Sequence, residues 1–180
     1  MDFLMNNGLR EEIETIIGLC KEAVKEYGRS SMFMSEPATQ QILDDWEYEY
    51  MATIPNDYKE WLKFTRFSVI LFDLAILEMP YEDKQLINEK NMFIIGRIVG
   101  DGELVCMSIT TGKVVRVLNG SRKEYASFKE FLNKCIIKML RNTLAKEGEK
   151  LFENESMGRF EQLNCRQIRE KTRAFNALDI

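Results

Sequence analysis

The sequence predicts an α+β protein in which helices flank a mostly antiparallel sheet. Amphipathic helical patterns come first, short β-rich runs joined by glycine turns follow, and a capped amphipathic helix comes after them. Helices, a strand meander and further helices in this order are typical of a layered α+β fold. Because the chain has 180 residues, it is predicted to form a single domain, 1–180.

Three helices are predicted before the sheet. In the N-terminal helix, 9–27, apolar residues recur at steps of three and four. The second helix is predicted to have Pro37 in its first turn and Ser35 or Glu36 near the cap, and the third has Pro55 in its first turn. The apolar residues that these patterns assign to the core are Ile42, Leu43, Trp46, Tyr58, Trp61 and Leu62.

The middle of the chain is rich in β-branched and aromatic residues. The runs FSVILF and LAILEM predict two buried strands, and three further runs near 92–98, 103–109 and 113–118 are separated by GDG and TTG turns. Ser127 then starts a helix in which Glu130 completes a capping box. The polar C-terminal part, about 146–180, is predicted to be a helical extension, with its helix at about 159–175.

The composition excludes several classes of function. The chain has no histidine, which removes serine triads, papain-like cysteine–histidine pairs and histidine metal ligands. Its four cysteines are scattered without a Cys-x-x-Cys pair, so they are predicted to be reduced and buried, and no metal or other cofactor is expected. A net charge of −4 argues against direct nucleic-acid binding.

The N-terminal sequence contains no basic region followed by an apolar stretch, so no secretory signal is expected. The longest apolar stretch, 67–79, is too short for a spanning helix and carries Asp73 and Glu78. A cytoplasmic protein without a membrane span is therefore predicted.

One region is strongly acidic. Residues 36–60 contain seven acidic residues against Lys59 as the one basic residue, and helical spacing stacks several of the acids on one face. Stacked like charges cost a few tenths of a kcal/mol per pair, roughly. The region is either an acidic face for a cationic partner or an ordinary solvated helix face. The predicted contact residues are Asp44, Asp45, Glu47, Tyr48 and Glu49.

Two other sets of residues invite a functional interpretation. The aromatic residues Trp46, Tyr58 and Trp61 would line a ligand groove or pack in the core, and their helical spacing favours the core. Asp101 and Glu103 have two interpretations, a metal or acid/base pair and a hairpin turn. The hairpin turn is favoured, because aspartate and glycine readily adopt the backbone conformations that it requires. No enzyme is predicted, since a carboxylate-dependent hydrolase would need two buried acids that face one cleft.

Three segments resemble the SUKH superfamily, which includes yeast cell-wall regulators and bacterial immunity proteins against polymorphic toxins. They are IPNDYKEWL at 54–62, GRIVGDGELVCMSITTGKVVRV at 96–117 and SFKEFLNKCI at 127–136. The resemblance spans about 36–145 and leaves the N-terminal helix and the C-terminal extension outside.

This resemblance implies a SUKH-like fold and a non-enzymatic immunity protein that neutralises a cognate bacterial toxin by binding its catalytic domain. Toxin domains that attack nucleic acid are commonly basic, so an acidic helix face would complement them. The alternative within the same family is a regulatory or scaffolding module that binds an endogenous protein.

Overall fold

The computed structural model describes residues 7–27, 32–71, 74–87, 89–98, 102–118 and 121–147. The chain divides into two units, Met1–Leu144 and Ala145–Ile180, and only residues 145–147 of the second unit are described. The helix predicted at about 159–175 therefore lies outside the described residues.

The described residues form four helical regions, the last of which contains a π-helical segment. The elements are α1 Arg10–Tyr27, α2 Gln40–Tyr50, α3 Asn56–Phe64, and the continuous run of α4 Phe128–Phe131, the π segment Leu132–Ile137 and α5 Lys138–Glu147. The predicted Ser127 cap is confirmed, because the Ser127 hydroxyl accepts a 3.1 Å hydrogen bond from the Glu130 N–H, whereas the Glu130 carboxylate accepts from the N–H of Ala126 instead of that of Ser127.

The predicted start of α2 is wrong. The helix begins at Gln40, and the Thr39 side chain caps it by accepting a hydrogen bond from the backbone N–H of Ile42 at 3.3 Å. Ser35, predicted as a possible cap, instead pairs with Phe67, donating its backbone N–H to the Phe67 carbonyl at 2.9 Å. This segment is extended because it continues the pairing of the first strand.

In the described part of the chain, seven strands form one antiparallel sheet whose spatial order follows the chain order. They are β1 Met32–Met34, β2 Phe67–Ile70, β3 Ala75–Tyr81, β4 Met92–Ile98, β5 Glu103–Ser108, β6 Val114–Leu118 and β7 Ser121–Tyr125. The predicted α+β class and the predicted strand meander are confirmed. The two edge strands, β1 and β7, were not predicted, since β1 is very short and β7 is almost entirely polar.

The hydrophobic core lies between the helices and one face of the sheet. Trp61, Leu62 and Phe131 are all fully buried there, together with Val105 and Val114 from the sheet. Burial of large aromatic side chains supplies much of the favourable free energy of folding. Trp46, Tyr58 and Trp61 therefore belong to the core, as their helical spacing predicted, and the alternative ligand groove is wrong.

Two aromatic side chains also compensate for an irregularity in the sheet. The ladder between β3 and β4 shifts register within the C-terminal half of β3. There the Trp46 indole N–H donates to the Pro80 carbonyl at 2.7 Å, and the Tyr58 hydroxyl lies 2.5 Å from the Glu78 carbonyl and 3.2 Å from the Ile95 carbonyl. These bonds fix α2 and α3 on the sheet, since buried carbonyls require a donor.

Candidate functional site

The outer face of α2 carries an exposed tyrosine between acidic side chains. Leu43 and Trp46 turn inward, whereas Asp44, Asp45 and Tyr48 are exposed, with 84% of Tyr48 accessible. Tyr48 follows Asp44 by four residues and Asp45 by three, so all three side chains are neighbours on the helix surface. We call Asp44, Asp45, Tyr48, Glu49 and Met51 the α2 surface.

Two glutamines hold the carboxylates of this surface. Gln40 donates to Asp44 at 2.8 Å, and Gln41 donates to Asp45 at 2.7 Å. Each bond engages one carboxylate oxygen, and an ionised carboxylate can accept further bonds at the other. Within the described ranges, neither aspartate forms an ion pair with a lysine or arginine. The two negative charges are therefore oriented but not neutralised.

Burial and nearby acidic side chains raise the pKa of a tyrosine at the end of α2. Burial raises the pKa of Tyr50, and the negative charges of Glu49 and Glu82 raise it further. Glu49 and Glu82 therefore place negative charge beside the C-terminal end of α2.

Glu47 differs from the other predicted contact residues. Its carboxylate accepts a hydrogen bond from the Ile54 N–H at 2.7 Å and pairs with the Lys59 ammonium at 2.8 Å, and 22% of its side chain is exposed. The bonds connect α2 to the segment that leads into α3. Glu47, a predicted contact residue, is therefore engaged within the fold instead of pointing outward, and its contact with a partner stays a prediction.

Other acids of the 36–60 region are also engaged within the fold. Asp57 accepts a hydrogen bond from the Lys129 N–H at 3.1 Å, and Glu60 pairs with Lys63 at 3.1 Å. The acidic surface is consequently smaller than the sequence suggested, and it is concentrated around Tyr48.

Met51 extends the surface and was missed at the level of sequence. It adopts the left-handed conformation, with φ 50° and ψ 41°, and its side chain is 88% exposed. A residue with a Cβ atom costs about 1–2 kcal/mol in this conformation, and glycine is the usual residue after a helix. The sequence signal for this feature was that Met51, and not the usual glycine, directly follows Tyr50 at the end of the helix. The conformation closes the helix, because the Met51 N–H donates to the Tyr48 carbonyl at 3.4 Å.

Glu103, one of the two acids considered for a metal or acid/base pair, is held by an arginine. Asp101 lies outside the described residues, and the Glu103 carboxylate receives two hydrogen bonds from Arg116. Arg116 also donates to the Cys135 sulfur at 3.1 Å. Burial lowers the pKa of Arg116, but the hydrogen bonds to Glu103 and Tyr125 and the charges of Glu103 and Cys135 together outweigh it, so the pKa is raised overall. The pair therefore links β5 and β6 to the helix above them.

The cysteines described by the structure are Cys20, Cys106 and Cys135, and all three are buried, as predicted. Burial raises the pKa of the Cys106 thiol to about 12, which disfavours the reactive thiolate. Cys165 lies outside the described residues. Among the residues with described positions, no three acidic or cysteine side chains cluster closely enough to hold a metal ion.

Fold and surface together define an antiparallel α+β protein with an exposed, acidic and aromatic helix face. No protein-family model matches the chain, and no curated protein matches it. In the part of the chain that the structure describes, no helix combines the length and apolarity needed to cross a membrane. The SUKH resemblance of the three sequence segments stays a prediction.

Proposed function

We propose that this chain is a non-enzymatic protein that binds a basic protein partner through the α2 surface. The observation that carries the proposal is the exposed Tyr48 between two carboxylates that glutamines orient and no described cation neutralises. Following the resemblance to the SUKH superfamily, we propose that the partner is a cytoplasmic toxin domain, which the protein neutralises as an immunity protein.

The chemistry of the surface supports a cationic partner. Carboxylates accept bidentate hydrogen bonds from arginine, and a tyrosine ring attracts a cation placed over its face. Tyrosine is also enriched among the residues that dominate binding energy at interfaces. Asp44, Asp45 and Glu49 would steer a basic partner toward the surface, while Tyr48 and Met51 would supply apolar contact area at its centre.

The steering role can be tested by reversing charges that, among the described residues, make no bond outside their own helix. In Asp45→Lys/Glu49→Lys, both altered side chains are exposed, and Glu11→Lys/Glu22→Lys is a matched control on α1 with the same change in net charge. We expect the α2 variant to lower the association rate with the cognate toxin domain about tenfold or more, and the control to lower it much less. Raising the salt concentration should slow the unmodified pair similarly.

The apolar contact is tested separately. Tyr48→Ala should accelerate dissociation about 30-fold, as expected for a residue that contributes about 2 kcal/mol. Stopped-flow or surface binding measures both rates, and circular dichroism checks that each variant folds. An association rate that responds neither to charge reversal nor to salt would contradict the acidic-surface proposal. Co-purification with an endogenous protein, without a toxin gene nearby, would favour the regulatory or scaffolding module.

A further inference from the structure

A second charged surface lies on a different part of the molecule. A cleft of about 620 Å³ separates β7 from the helical run that continues into α5, and four of its lining residues are cations. They are Lys123 on β7 and Lys134, Lys138 and Arg141 on the helix. This concentration of positive charge contrasts with the net charge of −4 of the whole chain.

The acidic residues at the cleft are already paired. Glu124 pairs with Lys113 at 3.4 Å, and Glu130 pairs with Lys134 at 2.5 Å. Over the described residues, neither Lys138 nor Arg141 forms an ion pair. The cleft therefore retains an excess of positive charge that is available to a ligand.

The strand register places Lys123 on the helix side of the sheet. Tyr125 pairs with Val114, both are buried, and the Tyr125 ring contacts Phe131 at a centroid distance of 5.4 Å. Side chains two residues apart lie on the same face of a strand, so Lys123 shares the face of Tyr125. The Lys123 ammonium indeed lies 5.6 Å from the centre of that ring.

The helical cations form a row beside the strand. Lys134, Lys138 and Arg141 are spaced at steps of four and three residues, so they share a face and span about 10 Å along the helix axis. Side chains on one face of an extended peptide recur about every 7 Å. An extended chain lying in the cleft could therefore place successive side chains opposite this row.

The strand beside the cleft has an unpaired edge. In the described sheet β7 is the last strand, paired on one side with β6, so alternate backbone N–H and C=O groups face away from the sheet. We propose that the cleft binds an extended acidic segment of a protein, which adds a strand to β7 and places carboxylates against Lys123, Lys138 and Arg141. This mode combines backbone pairing for affinity with charge for selectivity.

A nucleic acid fits the cleft less well than an acidic peptide. Single-stranded nucleic acid is usually held by exposed aromatic rings on which bases stack. The aromatic residue of this cleft, Tyr125, is only 3% exposed and is packed against the core. The site is separate from the α2 surface, and its occupancy does not depend on the function proposed for that surface.

The probe is a fluorescently labelled peptide of alternating glutamate and valine, titrated into the full-length protein at low salt. We expect saturable binding, and loss of binding when glutamine replaces glutamate. Lys138→Glu/Arg141→Glu should weaken binding about tenfold or more, because two attractive contacts become repulsive. The matched control Lys21→Glu/Lys84→Glu alters two exposed lysines elsewhere and should leave affinity within about twofold.

Strand addition is tested with the same peptide methylated on alternate backbone nitrogens. Two peptides are compared, one methylated on the odd-numbered nitrogens and one on the even-numbered nitrogens. One of them should no longer bind and the other should bind as before, since only alternate amides face β7. The proposal would be overturned if the peptide does not bind, or if its affinity is unchanged by the Lys138/Arg141 reversal. It would also be overturned if both methylated peptides still bind, or if single-stranded RNA binds more tightly than the peptide. If the reversed variant fails to fold, Lys138→Gln/Arg141→Gln gives the same test.

Discussion

Replacing Tyr58 with phenylalanine tests whether helix side chains hold together the irregular part of the sheet. The Tyr58 side chain is fully buried, and its hydroxyl lies against the carbonyls of Glu78 and Ile95 where the ladder between β3 and β4 shifts register. Phenylalanine retains the edge-to-face ring contact with Phe128, whose centroid is 4.6 Å away. The substitution therefore removes the hydroxyl while preserving the packing.

The expected loss of stability follows from the environment of the hydroxyl. Leaving a buried carbonyl without its donor costs about 1–3 kcal/mol. In a protein of this size, 1 kcal/mol shifts the midpoint of thermal unfolding by about 2–4 °C, so the midpoint should fall by about 2–12 °C. Urea unfolding followed by circular dichroism measures the free energy difference directly.

Tyr48→Phe is the matched control, because it makes the same chemical change at a side chain that is 84% exposed. Its stability should stay within about 0.5 kcal/mol of the unmodified protein. Equal stability of the two variants would refute the assignment of a structural role to the Tyr58 hydroxyl. It would show that the strand carbonyls find other donors when the hydroxyl is removed.

Further substitutions should change the free energy of unfolding in a stated direction. Gly96→Ala should destabilise the protein by at least about 1–3 kcal/mol, because a side-chain methyl would collide with a carbonyl of β3. Gly18→Ala lies in open space on α1 and should stabilise the protein by about 1 kcal/mol, and thermal melts compare the two variants. Glu47→Gln should cost about 1 kcal/mol in urea unfolding, because it removes a charge that pairs with a lysine of α3. Burial raises the pKa of Tyr58 well above its usual value and that of Tyr125 to about 12. These groups therefore contribute stability that is complete below about pH 10 and is lost as the pH rises toward 12, and Tyr58→Phe should reduce this loss in urea titrations across that range.

Patterns within single elements were predictable from the sequence, since the interactions that create them are local. The Ser127 cap on the Glu130 N–H depends on residues three apart, and the strands around the GDG and TTG turns depend on alternation and turn residues. The start of α2 was predicted wrongly, because pairing with β2 kept the residues around Ser35 extended. That pairing joins segments more than thirty residues apart, so no local pattern indicates it.

The sequence by itself also determined where the acidic helix lies and that Tyr48 sits among its charges. Only the tertiary structure decided which charges remain available. Glu47 is engaged because the chain returns to place Ile54 and Lys59 beside it, whereas Asp45 is bonded only within its own helix. The basic cleft likewise exists because β7 packs beside the helical run that continues into α5. Both outcomes depend on which distant segments meet, and that is set by packing around the shared core rather than by spacing along the chain.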